Sequence, residues 1–183
     1  GKITLKIVLT ALGVSTVDEI FKRKDEDPNF GDYCFQAVTK LDLYNSKLSK
    51  KKLLKFISLF PNLDYLDLRN TNVKDVSTLG RVHTLKLEYT NVRDVSALGG
   101  VHTLYLDKTK VEDVSALGGV HNLYLGYTNV TDVSMLGGVY DLNLANTNVR
   151  DVSALGGVHT LNLINTKVTD VSALENVHSL YLD

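Results

Sequence analysis

Residues 82–100 read VHTLKLEYTNVRDVSALGG, and residues 101–119 read VHTLYLDKTKVEDVSALGG. A valine recurs at positions 82, 101, 120, 139, 158 and 177, every 19 residues without slippage. Self-similarity at such a period is the signature of a solenoid and takes precedence over any local signal. Units begin near residues 38, 63, 82, 101, 120, 139, 158 and 177, the last of them partial. The first is longer, since Leu41, Leu43 and Leu48 precede Leu66, Leu68 and Val73 by 25 residues.

The physics of one unit follows from its pattern. Leu85 and Leu87 alternate with Thr84, Lys86 and Glu88, a period of two that specifies a strand. Stacking the units pairs these strands in parallel, about 4.8 Å apart, into a sheet of about eight. Thr90, Val92, Val95 and Leu98 then face inward from the return segment. Asp94 and Ser96 are short acceptors suited to cap the amides of a single helical turn over 95–98. Gly100 is expected to close that turn in the left-handed conformation. No unit can bury its apolar face alone, so stability is collective.

The motif LxxLxLxxT/NxV, as in Val101-His-Thr-Leu104-Tyr-Leu106-Asp-Lys-Thr109-Lys-Val111, resembles the leucine-rich-repeat family. The segment VTDVSAL, Val168 to Leu174, is similar to the corresponding stretch of SDS22-like and internalin-type arrays. The resemblance covers residues 38–183 and implies an α/β solenoid. In that architecture a right-handed superhelix carries a parallel β-sheet on one face and short turns or 3-10 returns on the other. Two features depart from the family: the unit is shorter than usual, and Thr71, Thr90, Thr109, Thr128, Thr147 and Thr166 stand where the family commonly has Asn. Such short, near-identical arrays also resemble those of large DNA viruses of amoebae.

Residues 1–37 lie outside the repeat and read as an N-terminal helical cap over the first apolar edge. Ile3 to Leu12 suggest a short helix closed by Gly13, with a strand as the competing reading. Thr16-Val-Asp-Glu19 resembles a capping box opening a second helix to about Lys24, and Lys22 to Pro28 reads as a charged exit loop. Ser49 is placed to cap a helix through Leu59 that buries Leu53, Phe56, Ile57 and Phe60. At the other end Leu180, Tyr181 and Leu182 form a strand with nothing after it to cover them. Three explanations are open: the sequence is a piece of a longer one, this edge pairs with a second copy in a homodimer, or the short edge is tolerated as it stands.

Composition narrows the function classes. The 183 residues are 44% hydrophobic and 22% charged, enough for one core and too apolar for wholesale disorder. The formal net charge of −1 argues against a dedicated nucleic-acid binder. No 18-residue apolar run spans a membrane. The first dozen residues lack the features of a secretory signal, and Cys34 is the single cysteine, so we expect an intracellular, cytoplasmic protein. Lys47, Lys50, Lys51, Lys52 and Lys55 form a basic cluster that reads as the solvated face of its helix.

Two columns carry side chains of catalytic type. His83, His102, His121, His159 and His178 fall one per unit, with Tyr140 interrupting, close enough for neighbours to share a metal. Asp75, Asp94, Asp113, Asp132, Asp151 and Asp170 form another column, which reads as capping rather than calcium binding. Catalysis needs one convergent constellation, whereas these types recur in nearly every unit, so no enzyme, metal or cofactor is expected.

Positions that stay fixed serve the fold; those that change are free for something else. The changing positions fall on the exposed strand face and just after it. One column reads Asp67, Lys86, Tyr105, Tyr124, Asn143, Asn162, Tyr181; the next, Arg69, Glu88, Asp107, Gly126, Ala145, Ile164. The third reads Asn70, Tyr89, Lys108, Tyr127, Asn146, Asn165. Tyr89, Tyr105, Tyr124 and Tyr127 should converge in the middle, bordered by Arg69, Lys86, Glu88, Asp107 and Lys108 on one side and Asn143, Asn146 and Asn162 on the other. Exposed tyrosines beside small polar residues suit a protein or peptide partner, giving large contact area at low entropy cost. The competing expectations are self-assembly through Leu180, Tyr181 and Leu182, and, more weakly, carbohydrate recognition by the tyrosines.

Overall fold

Each unit has room for only three strand residues between its valine and its first turn, and that is what forms. The computed structural model describes residues 1–183. Eight strands come from the repeats: β2 (Lys40–Asp42), β3 (Tyr65–Asp67), β4 (Thr84–Lys86), β5 (Thr103–Tyr105), β6 (Asn122–Tyr124), β7 (Asp141–Asn143), β8 (Thr160–Asn162) and β9 (Ser179–Tyr181). All pair in parallel in sequence order, and the register aligns Leu41, Leu66, Leu85, Leu104, Leu123, Leu142, Leu161 and Leu180. Such alignment follows from the fixed period, because a one-residue slip would turn every leucine to solvent. The core is one continuous cluster of these leucines, the second leucine of each strand motif and the valines of the returns.

The sheet has nine strands rather than eight. β1 (Ile3–Thr4) pairs with β2, so the cap extends the sheet before it covers it. The competing readings of Ile3 to Leu12 are each right over part of the segment: strand first, then α1 (Leu5–Leu12), ended by Gly13 at φ 69°. The second helix, α2 (Val17–Glu26), starts at the Thr16 capping box and runs beyond Lys24 into the segment expected to be a loop. α3 (Asp32–Ala37) was not foreseen; it brings Phe35 edge-on to Phe60, with ring centroids 5.1 Å apart. Its six residues are too few to show a helical period. α4 (Lys50–Ile57) starts at Ser49 as expected and stops two residues short of Leu59, with Leu53, Phe56, Ile57 and Phe60 all buried. No helix is long and apolar enough to cross a membrane.

The returns correct two details. Asp94 Oδ1 accepts from the Ser96 amide at 2.9 Å, but Ser96 Oγ donates to Asp94 instead of capping. The same Asp-to-amide bond repeats at Asp75, Asp113, Asp132, Asp151 and Asp170. Gly100 is not left-handed; Gly13 and Gly31 are the only glycines with positive φ. The paired glycines answer to crowding. A Cβ on Gly99 would lie 2.6 Å from the Ala116 carbonyl oxygen of the next turn, and one on Gly100 3.2 Å from the Gly80 carbonyl oxygen of the turn before. The left-handed position lies instead just after each strand, at Asn45, Asn70, Tyr89, Lys108, Tyr127, Asn146 and Asn165.

Candidate interaction face

Toward both ends of the array the last residue of each strand satisfies the turn that follows it. Asp42, Asp67, Asn143 and Asn162 accept at Oδ1 from the amide two residues on, at 2.9–3.0 Å. Such short acceptors hold a turn locally. Three residues further, Asn45, Asn70, Asn146 and Asn165 occupy the left-handed position, which asparagine tolerates best after glycine. Asn70 Nδ2 donates to Asn45 Oδ1, and Asn165 Nδ2 to Asn146 Oδ1.

The three central units abandon both devices. Lys86, Tyr105 and Tyr124 replace the Asp/Asn acceptor. Tyr89, Lys108 and Tyr127 take the left-handed position at φ 60°, 58° and 57°. A bulky residue there costs roughly 1–2 kcal/mol, so three consecutive units are less well suited to the backbone than their neighbours. The lost acceptor is replaced only once, where Asp107 Oδ1 takes the Gly126 amide at 3.0 Å. That carboxylate fills the space over Gly126, and a Cβ there would meet it at 2.7 Å.

The central residues form two aromatic groups rather than the one expected. On the strands, Tyr105 and Tyr124 stack with centroids 4.6 Å apart and planes at 15°, and Lys86 Nζ lies 5.1 Å from the Tyr105 ring. Tyr124 donates its hydroxyl to Asp141 Oδ2 at 2.9 Å; burial, and then this bond, push its phenol well above the ordinary range. On the turns, Lys108 Nζ lies 4.9 Å from the rings of both Tyr89 and Tyr127 and donates to the Tyr89 hydroxyl at 3.0 Å, which raises the ammonium pKa. Tyr89 is 58% and Tyr127 59% exposed, whereas Tyr105 and Tyr124 are half-buried.

Between the two groups lie Glu88 and Asp107, both raised above the usual carboxylate range chiefly by burial. Glu88 Oε2 is buried without a partner. The border residues are less free than the sequence suggests. Arg69 is tied through Nε and Nη2 to Asp67, which is fully buried, and its guanidinium lies over Tyr44. Asn143 is engaged by the Ala145 amide. Asp141 was missed by sequence reading; its signal was a carboxylate in a column of Thr, Asn and Ser. Leu180 and Tyr181 lie on β9, paired on one side only, and Leu182 follows it; Tyr181 is 52% and Leu182 49% exposed.

The histidine column does not make a metal centre. Its rings stack nearly parallel, 4.4–4.7 Å apart, so their lone pairs cannot aim at one ion. Cys34 is a partly buried free thiol, pushed up by burial, the opposite of what activates a nucleophile.

No protein-family model matches the chain and no curated protein matches it. Solved structures do. An internalin, InlF, from Listeria monocytogenes is 26% identical with a TM-score of 0.69, over 82% of this chain and 48% of that one. Internalin C2 from the same organism is 21% identical with a TM-score of 0.69, over 96% and 90% of the two chains. The functional domain of InlJ, which includes a cysteine ladder, is 20% identical with a TM-score of 0.55, over 80% and 39%. The chain spans about half the length of InlF. The likeness to internalin C2 and InlJ bears on the fold alone.

Proposed function

The chain is a leucine-rich-repeat solenoid of internalin-like fold, and from that premise we propose that it is a non-catalytic module that binds a protein or peptide on its exposed strand face. One observation carries the placement. In units 82, 101 and 120 the last strand position and the left-handed turn position give up the acceptor and the asparagine that other units use, and put tyrosines and lysines there instead. Local rules broken together, without a folding gain, mark a site selected for something other than folding. Tyr105 and Tyr124 supply a rigid half-buried base, with Lys86 against it. Tyr89, Lys108 and Tyr127 form the exposed rim, with Glu88 and Asp107 between. Arg69 and Asn143 bound the patch, already ordered by their own bonds. An aromatic centre with a charged border has the composition of a binding hot spot.

The test is affinity capture from a host lysate with two baits side by side, wild type and Tyr105→Ala/Tyr124→Ala, followed by calorimetric titration of whatever is retained. A protein held by wild type, and bound at least tenfold more weakly by the folded variant, supports the reading. Equal binding by both baits refutes this placement. Recovery of the protein's own copies alone moves the reading to self-association through Leu180, Tyr181 and Leu182, which sedimentation at rising concentration would then measure.

A further inference from the structure

Along the margin where the strands begin, six rings stack into one column, one ring per unit. His83, His102, His121, Tyr140, His159 and His178 follow one another with centroids 4.4–4.7 Å apart and planes inclined by 6–21°. We propose that this column is a pH-responsive spine: its neutral imidazoles brace successive units, and their protonation in mild acid lowers the stability of the solenoid.

The backbone holds the anchor points of the rings one strand spacing apart. The sheet fixes their spacing, through His102 N–H to the His83 carbonyl and His121 N–H to the His102 carbonyl, both at 3.0 Å. Tyr140 and His159 are pinned in the same way, at 2.9 and 3.0 Å. Charging adjacent imidazoles therefore places like charges face to face on the solvent-exposed margin of the sheet. Stacking also strips water from the ring faces, which penalises the charged form.

His102 is the most constrained member, because imidazoles cover both its faces. Its Nδ1 lies 3.0 Å from Thr103 Oγ1, and that oxygen already accepts from Asn122 Nδ2 at 3.1 Å. Where Nδ1 is the unprotonated nitrogen the threonine hydroxyl donates to it, and protonation there reverses the bond and makes the hydroxyl an acceptor. His83 and His159 make the same contact with Thr84 and Thr160 at 3.1 Å. Burial first, then His83 and His121, hold His102 below its ordinary value of 6.5.

Few other charges face the column. Asp64 stands one register step from His83, Arg81 and Glu175 lie on the turns leading into β4 and β9, and Asp141 beside Tyr140 is occupied by the Tyr124 hydroxyl. A histidine depressed in the fold contributes stability that is complete above 6.5 and lost as pH falls through its folded value. The aspartates bonded to Ser77, Ser96, Ser115, Ser134, Ser153 and Ser172 are held below 3.8, so their contribution fails only in stronger acid. Glu88 and Asp107, raised by burial, work in the opposite sense as pH falls.

Tyr140 supplies the control, a ring of similar size that stacks in the column and carries no imidazole. Thermal unfolding is measured at about pH 7.5 and about pH 5 on wild type and on His83→Tyr/His102→Tyr/His121→Tyr/His159→Tyr. Glu88 and Asp107 are common to both proteins, so the difference isolates the imidazoles. Wild type is expected to lose Tm between the two conditions, and the variant less than half as much. An equal loss in both would overturn the proposal. Should the variant fail to fold, NMR titration of the wild-type imidazoles decides: a His102 midpoint below 6.5 supports the spine, and one at or above 6.5 overturns it. Both measurements use the protein alone, so their outcome is independent of whether the strand face binds a partner.

Discussion

Tyr89, Lys108 and Tyr127 hold a backbone conformation that four other units give to asparagine. The left-handed penalty on each is roughly 1–2 kcal/mol, while each exposed cation–π contact to Lys108 returns only about 0.5–1 kcal/mol. The penalties outweigh the contacts. Tyr89→Asn/Lys108→Asn/Tyr127→Asn should therefore raise stability by about 1 kcal/mol, read from the urea midpoint at neutral pH. A fall of similar size would mean that the sandwich serves the fold. None of this was legible in the sequence, where glycine at position 100 drew the left-handed assignment away from the tyrosines and lysine that hold it. The tyrosines themselves were legible, because they break columns that other units keep polar. Their division into a half-buried stack and an exposed sandwich was not, since it depends on which side of the turn each residue leaves the sheet.

At the scale of one return, the glycine pair separates two kinds of crowding. A Cβ on Gly99 would meet, at 2.6 Å, a carbonyl oxygen that belongs to the backbone of the next unit and cannot swing aside, whereas one on Gly100 would meet a carbonyl oxygen at 3.2 Å that need give only a few tenths of an ångström. Gly99→Ala should cost roughly 1–3 kcal/mol, and Gly100→Ala clearly less, by chemical denaturation of the two variants. The reverse ranking would show that the second glycine, not the first, limits how closely units approach. The strands, the threonines of the turns and the aspartate column were readable because each recurs at a fixed offset from the valine. Thr90 Oγ1, for instance, donates to the Leu87 carbonyl at 2.7 Å, and Thr71, Thr109, Thr128 and Thr147 repeat that bond. β1 and α3 were not readable in the same way. Two and six residues carry no period, and their place is set by what they cover in the first repeat.

The molecule as a whole is a stack in which each unit touches its neighbours, so units should be removable. Deleting residues 120–138 takes out one complete period and brings β5 against β7 in unchanged register, with Leu104 beside Leu142. The shortened chain is expected to keep the far-ultraviolet spectrum of the parent and unfold cooperatively at a lower temperature. A disordered product would show that the units are not interchangeable. The central claim is that the repeating columns hold the solenoid while the varying columns are free for a partner. Its most direct test is the urea unfolding of Lys86→Asn/Tyr89→Asn/Tyr105→Asn/Lys108→Asn/Tyr124→Asn/Tyr127→Asn, which gives the central units the face of their neighbours. Regained acceptors and relieved backbone oppose lost ring contacts, so the unfolding free energy should stay within about 2 kcal/mol of wild type. A loss of more than about 4 kcal/mol, or failure to fold, would contradict the claim and make the tyrosine face part of what holds the array together.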